Sequence, residues 1–181
     1  MSGGPGRRWG FHRLADSWAR RIVADAGIRP GDLVVDIGAG TGALTRRLVE
    51  RGARVVAVEL HRRRVDVLRR RFDERVVVVQ TDAGDLRPPR RPFRVVANPP
   101  FAATTAVIRR LLASGSRLLG ADLVVPRHVA RRWAGPDAPG RGRWSKQFTV
   151  ERGTRVPRDA FDPPTRADAV VLRIRRRGVR R

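Results

Sequence analysis

The ten residues Leu33-Val34-Val35-Asp36-Ile37-Gly38-Ala39-Gly40-Thr41-Gly42 decide how the rest of the chain is read. A short, β-branched, largely apolar run predicts a buried strand over 33–37, and three glycines at alternate positions follow it directly. Glycine there lets a ligand approach the backbone with no Cβ in the way. Ala43 to Arg51 then carries a helical pattern that stops at Gly52, so the glycines sit on a strand-to-helix turn. A second strand, Arg54 to Val58, leads to Glu59, 19 residues past Gly40, where a carboxylate can accept both ribose hydroxyls. The pairing of loop and acid predicts a cofactor that contains adenosine.

The alternation of strand and helix extends in both directions. Before the loop, a helix over about Leu14 to Ala26 is closed by Gly27, and Pro30-Gly31 makes a turn. After it come a helix over Arg62 to Phe72 with Val65, Leu68 and Phe72 on one stripe, a strand over Val76 to Gln80, and a strand over Phe93 to Ala97. A helix near Thr104 to Leu112, a strand over Asp122 to Val125 and a short helix over Val129 to Trp133 follow, then a mobile loop, Gly135 to Arg143, rich in Gly and Pro. The segments Gln147 to Arg155 and Ala169 to Arg175 are expected to pair as a closing hairpin. The expectation is one doubly wound, Rossmann-like α/β domain with a seven-stranded, mostly parallel sheet. It divides into a basic N-terminal segment and helix (1–30), a catalytic domain (31–175) and a basic tail (176–181).

Two cofactor classes share this geometry, nicotinamide dinucleotides and S-adenosylmethionine. The glycines run Gly-x-Gly-x-Gly, not the Gly-x-Gly-x-x-Gly that seats a pyrophosphate, and Asp36 stands two residues before the first. An acid beside the loop favours a cationic sulfonium and amino group and repels a pyrophosphate. Asp36, Gly38, Gly40, Gly42 and Glu59 therefore read as a set that binds S-adenosylmethionine. Asp82, with Ala83 beside it, lies where a carboxylate can accept from the cofactor's adenine amine; Asp85 is a rival for that role, and either can cap the following turn.

The acceptor side is read from Asn98-Pro99-Pro100-Phe101, which follows the strand ending at Ala97. The proline pair restricts itself and the residue before it to extended backbone, so its carbonyls point in fixed directions. That suits an exocyclic amine. The Asn98 side-chain oxygen and the Pro99 carbonyl can hold the two hydrogens of adenine N6 and favour a pyramidal nitrogen, while Phe101 stacks on the base. Asn98, Pro99 and Phe101 are the candidate catalytic residues, with Asn98 also facing the cofactor.

The composition agrees with a polyanionic partner. Lys and Arg number 40 against 17 Asp and Glu, a formal charge of +23 over 181 residues. An Arg-biased genome explains why only Lys146 is lysine, and leaves the excess of positive over negative unexplained. No cysteine is present, which excludes disulfides and thiolate sites, and His12, His61 and His128 show no metal-ligand spacing. Each reads as a solvated or capping histidine. Trp9, Trp18, Trp133 and Trp144 are candidates for base stacking, Trp18 rather for the core. No apolar run reaches the ~18 residues of a membrane helix and no signal peptide opens the chain, so a cytoplasmic monomer without a membrane partner is expected.

In this order, Asp36 to Gly42, Glu59, Asp82 and Asn98 to Phe101 resemble the rRNA adenine-N6 methyltransferases, and the short Arg-rich chain looks like an actinobacterial member of the Erm macrolide-resistance group. Phe161-Asp162-Pro163-Pro164 followed by Ala167 to Val171 is similar to the segment that closes that family's catalytic domain. The resemblance implies N6-methylation of adenine in 23S rRNA, with S-adenosylmethionine as cofactor and antibiotic resistance as phenotype. The chain departs from the family in three ways. Trp9-Gly10-Phe11-His12-Arg13-Leu14 replaces a Gln-Asn-Phe stretch, Phe101 stands where Tyr is commoner, and the chain is expected to lack the C-terminal helical domain of typical relatives. Two other classes remain open, a DNA adenine or protein-glutamine methyltransferase, and a non-catalytic RNA-binding or assembly factor that keeps the fold.

Overall fold

A computed structural model of the protein describes residues 12–179; Trp9, Gly10 and Phe11 lie outside them. In chain order the elements are β1 (Arg13–Leu14), α1 (Asp16–Asp25), β2 (Leu33–Ile37), α2 (Ala43–Glu50), β3 (Arg54–Glu59), α3 (Arg62–Phe72), β4 (Val76–Gln80), β5 (Phe93–Ala97), α4 (Thr104–Leu111), β6 (Leu118–Pro126), α5 (Arg127–Ala134), α6 (Arg141–Trp144), β7 (Phe148–Val156), β8 (Phe161–Asp162) and β9 (Ala169–Arg176). Seven strands form one sheet in the order β4-β3-β2-β5-β6-β9-β7. β2 to β6 run parallel, and β9 is antiparallel to both β6 and β7.

Alternate residues of the strands feed two apolar layers, as the period of two requires. Val34, Val55, Ala57, Val96 and Val124 cluster with Ile22 and Val23 of α1, Leu44 and Leu48 of α2, and Leu68 and Phe72 of α3. Val35, Ile37, Val95, Leu123 and Val125 cluster with Val107, Ile108 and Leu111 of α4 and with Val129 and Trp133 of α5. The chain winds outward from β2 to β4 and returns to β5 on the other side of β2. The carboxyl ends of β2 and β5 therefore flank a topological switch point, where open α/β sheets bind ligands.

Four expectations need correction. The first helix starts at Asp16, not Leu14, because Leu14 pairs with Phe161 in a two-stranded sheet and is buried. The strand expected over 122–125 runs from 118 to 126, with β9 paired antiparallel along 120–126 and Leu118 paired with Phe93 of β5. Gly120 masked its first part in the sequence, yet a Cβ at Gly120 would stand 3.2 Å from the Ile174 carbonyl, and buried Asp122 is met by Arg175 at 2.8 Å and Arg173 at 3.6 Å. Burial raises the Asp122 carboxyl while the bond from Arg175 pulls it down. The stretch expected to be mobile, 135–143, is anchored: Ala138 and Trp144 are buried, and Trp144 Nε1 donates to the Pro139 carbonyl at 2.9 Å. Trp133 and Trp144 are core residues, which removes them from any base-stacking surface. The helix of the N-terminal segment also shares the core of the rest, through Ile22 and Val23.

Gly42 shows how tightly the helices close on the loop. Its φ is +91°, and a Cβ there would stand 2.6 Å from the Phe72 ring and 3.1 Å from Leu68, whereas Gly27, at φ +63°, has open space around it. Gly42→Ala should cost about 2–5 kcal/mol, left-handed strain plus overpacking, and Gly27→Ala about 1–2 kcal/mol from strain alone. Urea denaturation of both variants checks this; equal losses would show that Phe72 simply moves aside.

Candidate functional site

The loop after β2 and the loop after β5 meet at Gly38. Its φ is +76°, and a Cβ would stand 2.8 Å from Pro100 Cδ and 3.4 Å from the Asn98 carbonyl oxygen, so only glycine allows the two loops to lie this close. Gly38 and Ala39 donate their N–H groups to the Val58 carbonyl at 2.8 and 3.0 Å, which stitches the loop to β3. A cavity of about 430 Å³ opens there, lined by Gly38, Glu59, Asp82, Ala83, Asn98, Pro99 and Phe101 among others. Seven of the predicted site residues thus share one space. A small recess behind Gly38 is bordered by Asp36, Ala39 and Asn98.

The acids differ in surroundings. Glu59 is 4% exposed and accepts three backbone N–H groups, Gly40 on Oε2 at 2.9 Å and Leu60 and His61 on Oε1 at 3.0 and 2.9 Å. Arg64 stands 3.6 Å away. About four acceptor sites belong to a carboxylate, so Glu59 has one left, on Oε2, and not the pair that two hydroxyls would need. Asp36 is fully enclosed; Oδ2 accepts from the Thr45 hydroxyl at 2.6 Å while Oδ1 has no partner. Burial pushes its carboxyl up to about 7, against the Thr45 bond, with the Glu59 charge adding to the rise. Asp82 caps the short turn at Ala83 by accepting from Gly84 N–H at 2.7 Å and faces the cavity. Asp85 is turned away, exposed and paired with Arg110 at 3.5 Å, which separates the two rivals.

Not every glycine is at the ligand surface. Gly40 and Gly42 border neither space; Gly40 serves Glu59 through its N–H, and Gly42 faces Phe72. On the acceptor side, Asn98 Nδ2 donates to the His12 carbonyl at 3.0 Å, and its Oδ1 accepts no hydrogen bond from the described residues. Phe101 meets Phe161 edge-on, centroids 6.5 Å apart at 82°. His12 lines both spaces, faces the Phe101 ring and lies 2.9 Å from the Pro163 carbonyl through Nδ1. Reading His12 as merely solvated missed this. His61 and Arg64 also line the cavity, at the start of the Arg-rich helix whose Arg62, Arg63, Arg69, Arg70 and Arg71 are exposed. No helix among the described residues is long and apolar enough to cross a membrane.

Comparison with known proteins agrees with this geometry. A family model described as ribosomal RNA adenine dimethylase matches residues 7–180. The small-subunit rRNA methyltransferase A of Thermosynechococcus vestitus is 39% identical over 184 residues, covering 93% of this chain and 69% of that protein. An rRNA adenine N-6-methyltransferase of Corynebacterium diphtheriae is 37% identical over 148 residues, covering 80% and 58%. The crystal structure of the 23S rRNA methyltransferase ErmE superimposes with a TM-score of 0.79 at 31% identity, covering 93% of this chain and 70% of that one. The chain thus spans about two thirds of the length of the relatives it matches.

Asp36 makes stability depend on pH in a way that fixes its sign. Its folded pKa, about 7, lies above the ordinary 3.8, so between these values the folded chain binds a proton that the unfolded chain releases. Stability is therefore lost as pH rises from about 4 to 7, by up to roughly 4 kcal/mol for this group. Asp36→Asn should match the wild type near pH 4 and exceed it in stability by about 2–4 kcal/mol at pH 8, by urea denaturation at both values. A constant difference across pH would show that Asp36 is ionised throughout.

Proposed function

The chain belongs to the ribosomal RNA adenine dimethylase family, and on that footing we propose that it transfers methyl groups from S-adenosylmethionine to N6 of adenine in 23S rRNA, with resistance to macrolides, lincosamides and streptogramin B as the consequence in the cell. The observation that carries the reading is the single cavity in which Glu59, Asp82 and Ala83 face Asn98, Pro99 and Phe101 across Gly38. The large-subunit substrate is supported by likeness to ErmE; the relatives named small-subunit methyltransferases support a second reading, adenine methylation in 16S rRNA.

Bound S-adenosylmethionine supplies a methyl group already activated on a sulfonium, so catalysis is chiefly a matter of position. The residues fit it. Asp36 keeps a buried, unpartnered oxygen beside Gly38, which suits a cationic group, and Glu59 keeps one acceptor site on Oε2 for a ribose hydroxyl. Asp82 and Ala83 border the adenine end. Asn98 Oδ1, with its amide nitrogen already spent on His12, accepts one hydrogen of the target amine, the Pro99 carbonyl takes the other, and Phe101 stacks on the base. Holding both hydrogens keeps the nitrogen lone pair aimed at the methyl, and no side chain has to remove a proton during attack. The excess of positive charge holds the RNA backbone.

Transfer of labelled methyl groups to 23S rRNA, 16S rRNA, DNA and protein in parallel tests the reading: label on 23S rRNA adenines alone supports it, and label on 16S rRNA alone selects the second reading.

The two sides of the cavity should respond differently to substitution. Asn98→Ala should lower the transfer rate by about 10²-fold or more, as loss of a contact made at the reacting group does, with cofactor affinity by calorimetry within a few fold of wild type. Glu59→Gln should weaken cofactor binding by about tenfold or more and recover its rate at high cofactor, because that contact is made in ground and transition states alike. Normal turnover in the first variant, or unchanged affinity in the second, would remove that residue from its role.

A further inference from the structure

His12 is tied to the acceptor loop by three contacts that use different parts of the residue. Its carbonyl accepts from Asn98 Nδ2 at 3.0 Å, its Nδ1 donates to the Pro163 carbonyl at 2.9 Å, and its ring faces Phe101 with centroids 6.4 Å apart and planes 29° from parallel. Stacked aromatic layers lie about 3.4 Å apart, so a ring admitted between two others needs about 6.8 Å. The His12 and Phe101 ring centroids are separated by a few tenths of an ångström less than that distance, with the planes tilted 29°, and both rings line the cavity that also holds Asn98. Neither ring is free to fold onto the other. Phe161 braces Phe101 edge-on at 6.5 Å, and the Pro163 carbonyl holds the imidazole by its Nδ1.

We propose that His12 and Phe101 are the two walls of a slot that takes the target adenine, so that His12 contacts the substrate base. The proposal rests on the adenine-transfer reading above and adds the wall opposite Phe101. One residue then does two things: its ring sets the width of the slot, and its carbonyl turns the Asn98 amide so that Oδ1 faces the amine. A planar base sandwiched on both faces is held in the plane where Asn98 can reach its N6 hydrogens, and stacking of this kind is tolerant of base identity, leaving the choice of adenine to Asn98 and Pro99.

Three variants of the full chain separate stacking from support. The backbone bond to Asn98 survives in all of them. His12→Phe keeps an aromatic wall and gives up the bond to Pro163; His12→Asn keeps a donor near Nδ1 and gives up the ring; His12→Ala loses both. Once the modified adenine has been mapped by primer extension, an rRNA fragment carrying 2-aminopurine at that position reports stacking by its quenched emission. His12→Ala should lower kcat/KM for the rRNA by roughly 10- to 100-fold, leave cofactor affinity within a few fold, and brighten 2-aminopurine in the complex. His12→Phe should restore both rate and quenching, and His12→Asn neither. Recovery by Asn and not by Phe would overturn the slot in favour of a bracing role through Pro163. Cofactor affinity falling in step with rate would place His12 on the cofactor side, and a His12→Ala enzyme as active as wild type would remove it altogether. A wild-type chain that methylates no rRNA would instead overturn the underlying reading, and the slot with it.

Discussion

Glu59 is the point on which the site depends. A single carboxylate, 4% exposed, collects N–H groups from the loop after β2 and from the first residues beyond β3, and so fixes the shape of the cofactor loop and the entry into α3 together. Hydrogen bonds to a charged group are worth about 1.5–3 kcal/mol each, enough to hold Gly40 at its positive φ and to compensate for taking the carboxylate out of water with Arg64 alongside. The loop is therefore shaped before any ligand arrives. Preorganised donors and acceptors of this kind need no rearrangement at the moment of reaction, which is where electrostatic catalysis gains most.

The opposite wall is built by distant parts of the chain. β5 brings Asn98 to the edge of the sheet, but its amide is oriented by His12, 86 residues earlier, and Phe101 is braced by Phe161. β1 and β8 join these two outlying segments, Arg13 to Asp162 and Leu14 to Phe161, and the Ala15 N–H reaches the Ala160 carbonyl at 2.8 Å. This two-stranded clasp is small, yet it sets the position of both aromatic groups that approach the acceptor loop. Close contact between Gly38 and Pro100 then locks the clasped side to the cofactor side.

What could be read from the sequence follows the range of the forces involved. The parallel strands 33–37 and 93–97 stand where their local pattern puts them, because a run buried on both faces must be apolar throughout, and the β-branched run 76–80 is legible by its composition although it forms the sheet edge with Val77 and Val79 exposed. Glu59, Asp82 and Asn98 were legible for the same reason: each sits at the carboxyl end of such a strand, and the switch-point geometry brings those ends together. The parts that escaped are fixed by distant partners. Gly120 resembles a loop residue until β9 lies beside it, and 135–143 resembles a free loop until Trp144 and Ala138 are buried under it. His12 carried a local signal of nothing at all; its role comes from a carbonyl and a ring edge that meet residues 86 and 151 positions away.

The division of labour between charge and pocket follows from the same physics. A formal charge of +23 gives strong attraction to a polyanion, but contacts between Arg and phosphate position a duplex without reading its bases. The exposed arginines of α3 form a charged face on a helix whose buried stripe of Val65, Leu68 and Phe72 serves only the core. On the adenine-transfer reading proposed above, discrimination among bases falls on the few groups placed to meet the reacting nucleotide, Asn98 and Pro99 by hydrogen bonding and the aromatic rings by stacking. An unpaired adenine is the cheapest to extract from an RNA fold, since the cost of flipping is lowest where no stack or pair must be broken. On that reading selection combines what the RNA already exposes with what the pocket accepts, and the clasp between β1 and β8 matters because it is the pocket, not the charge, that has to be sharp.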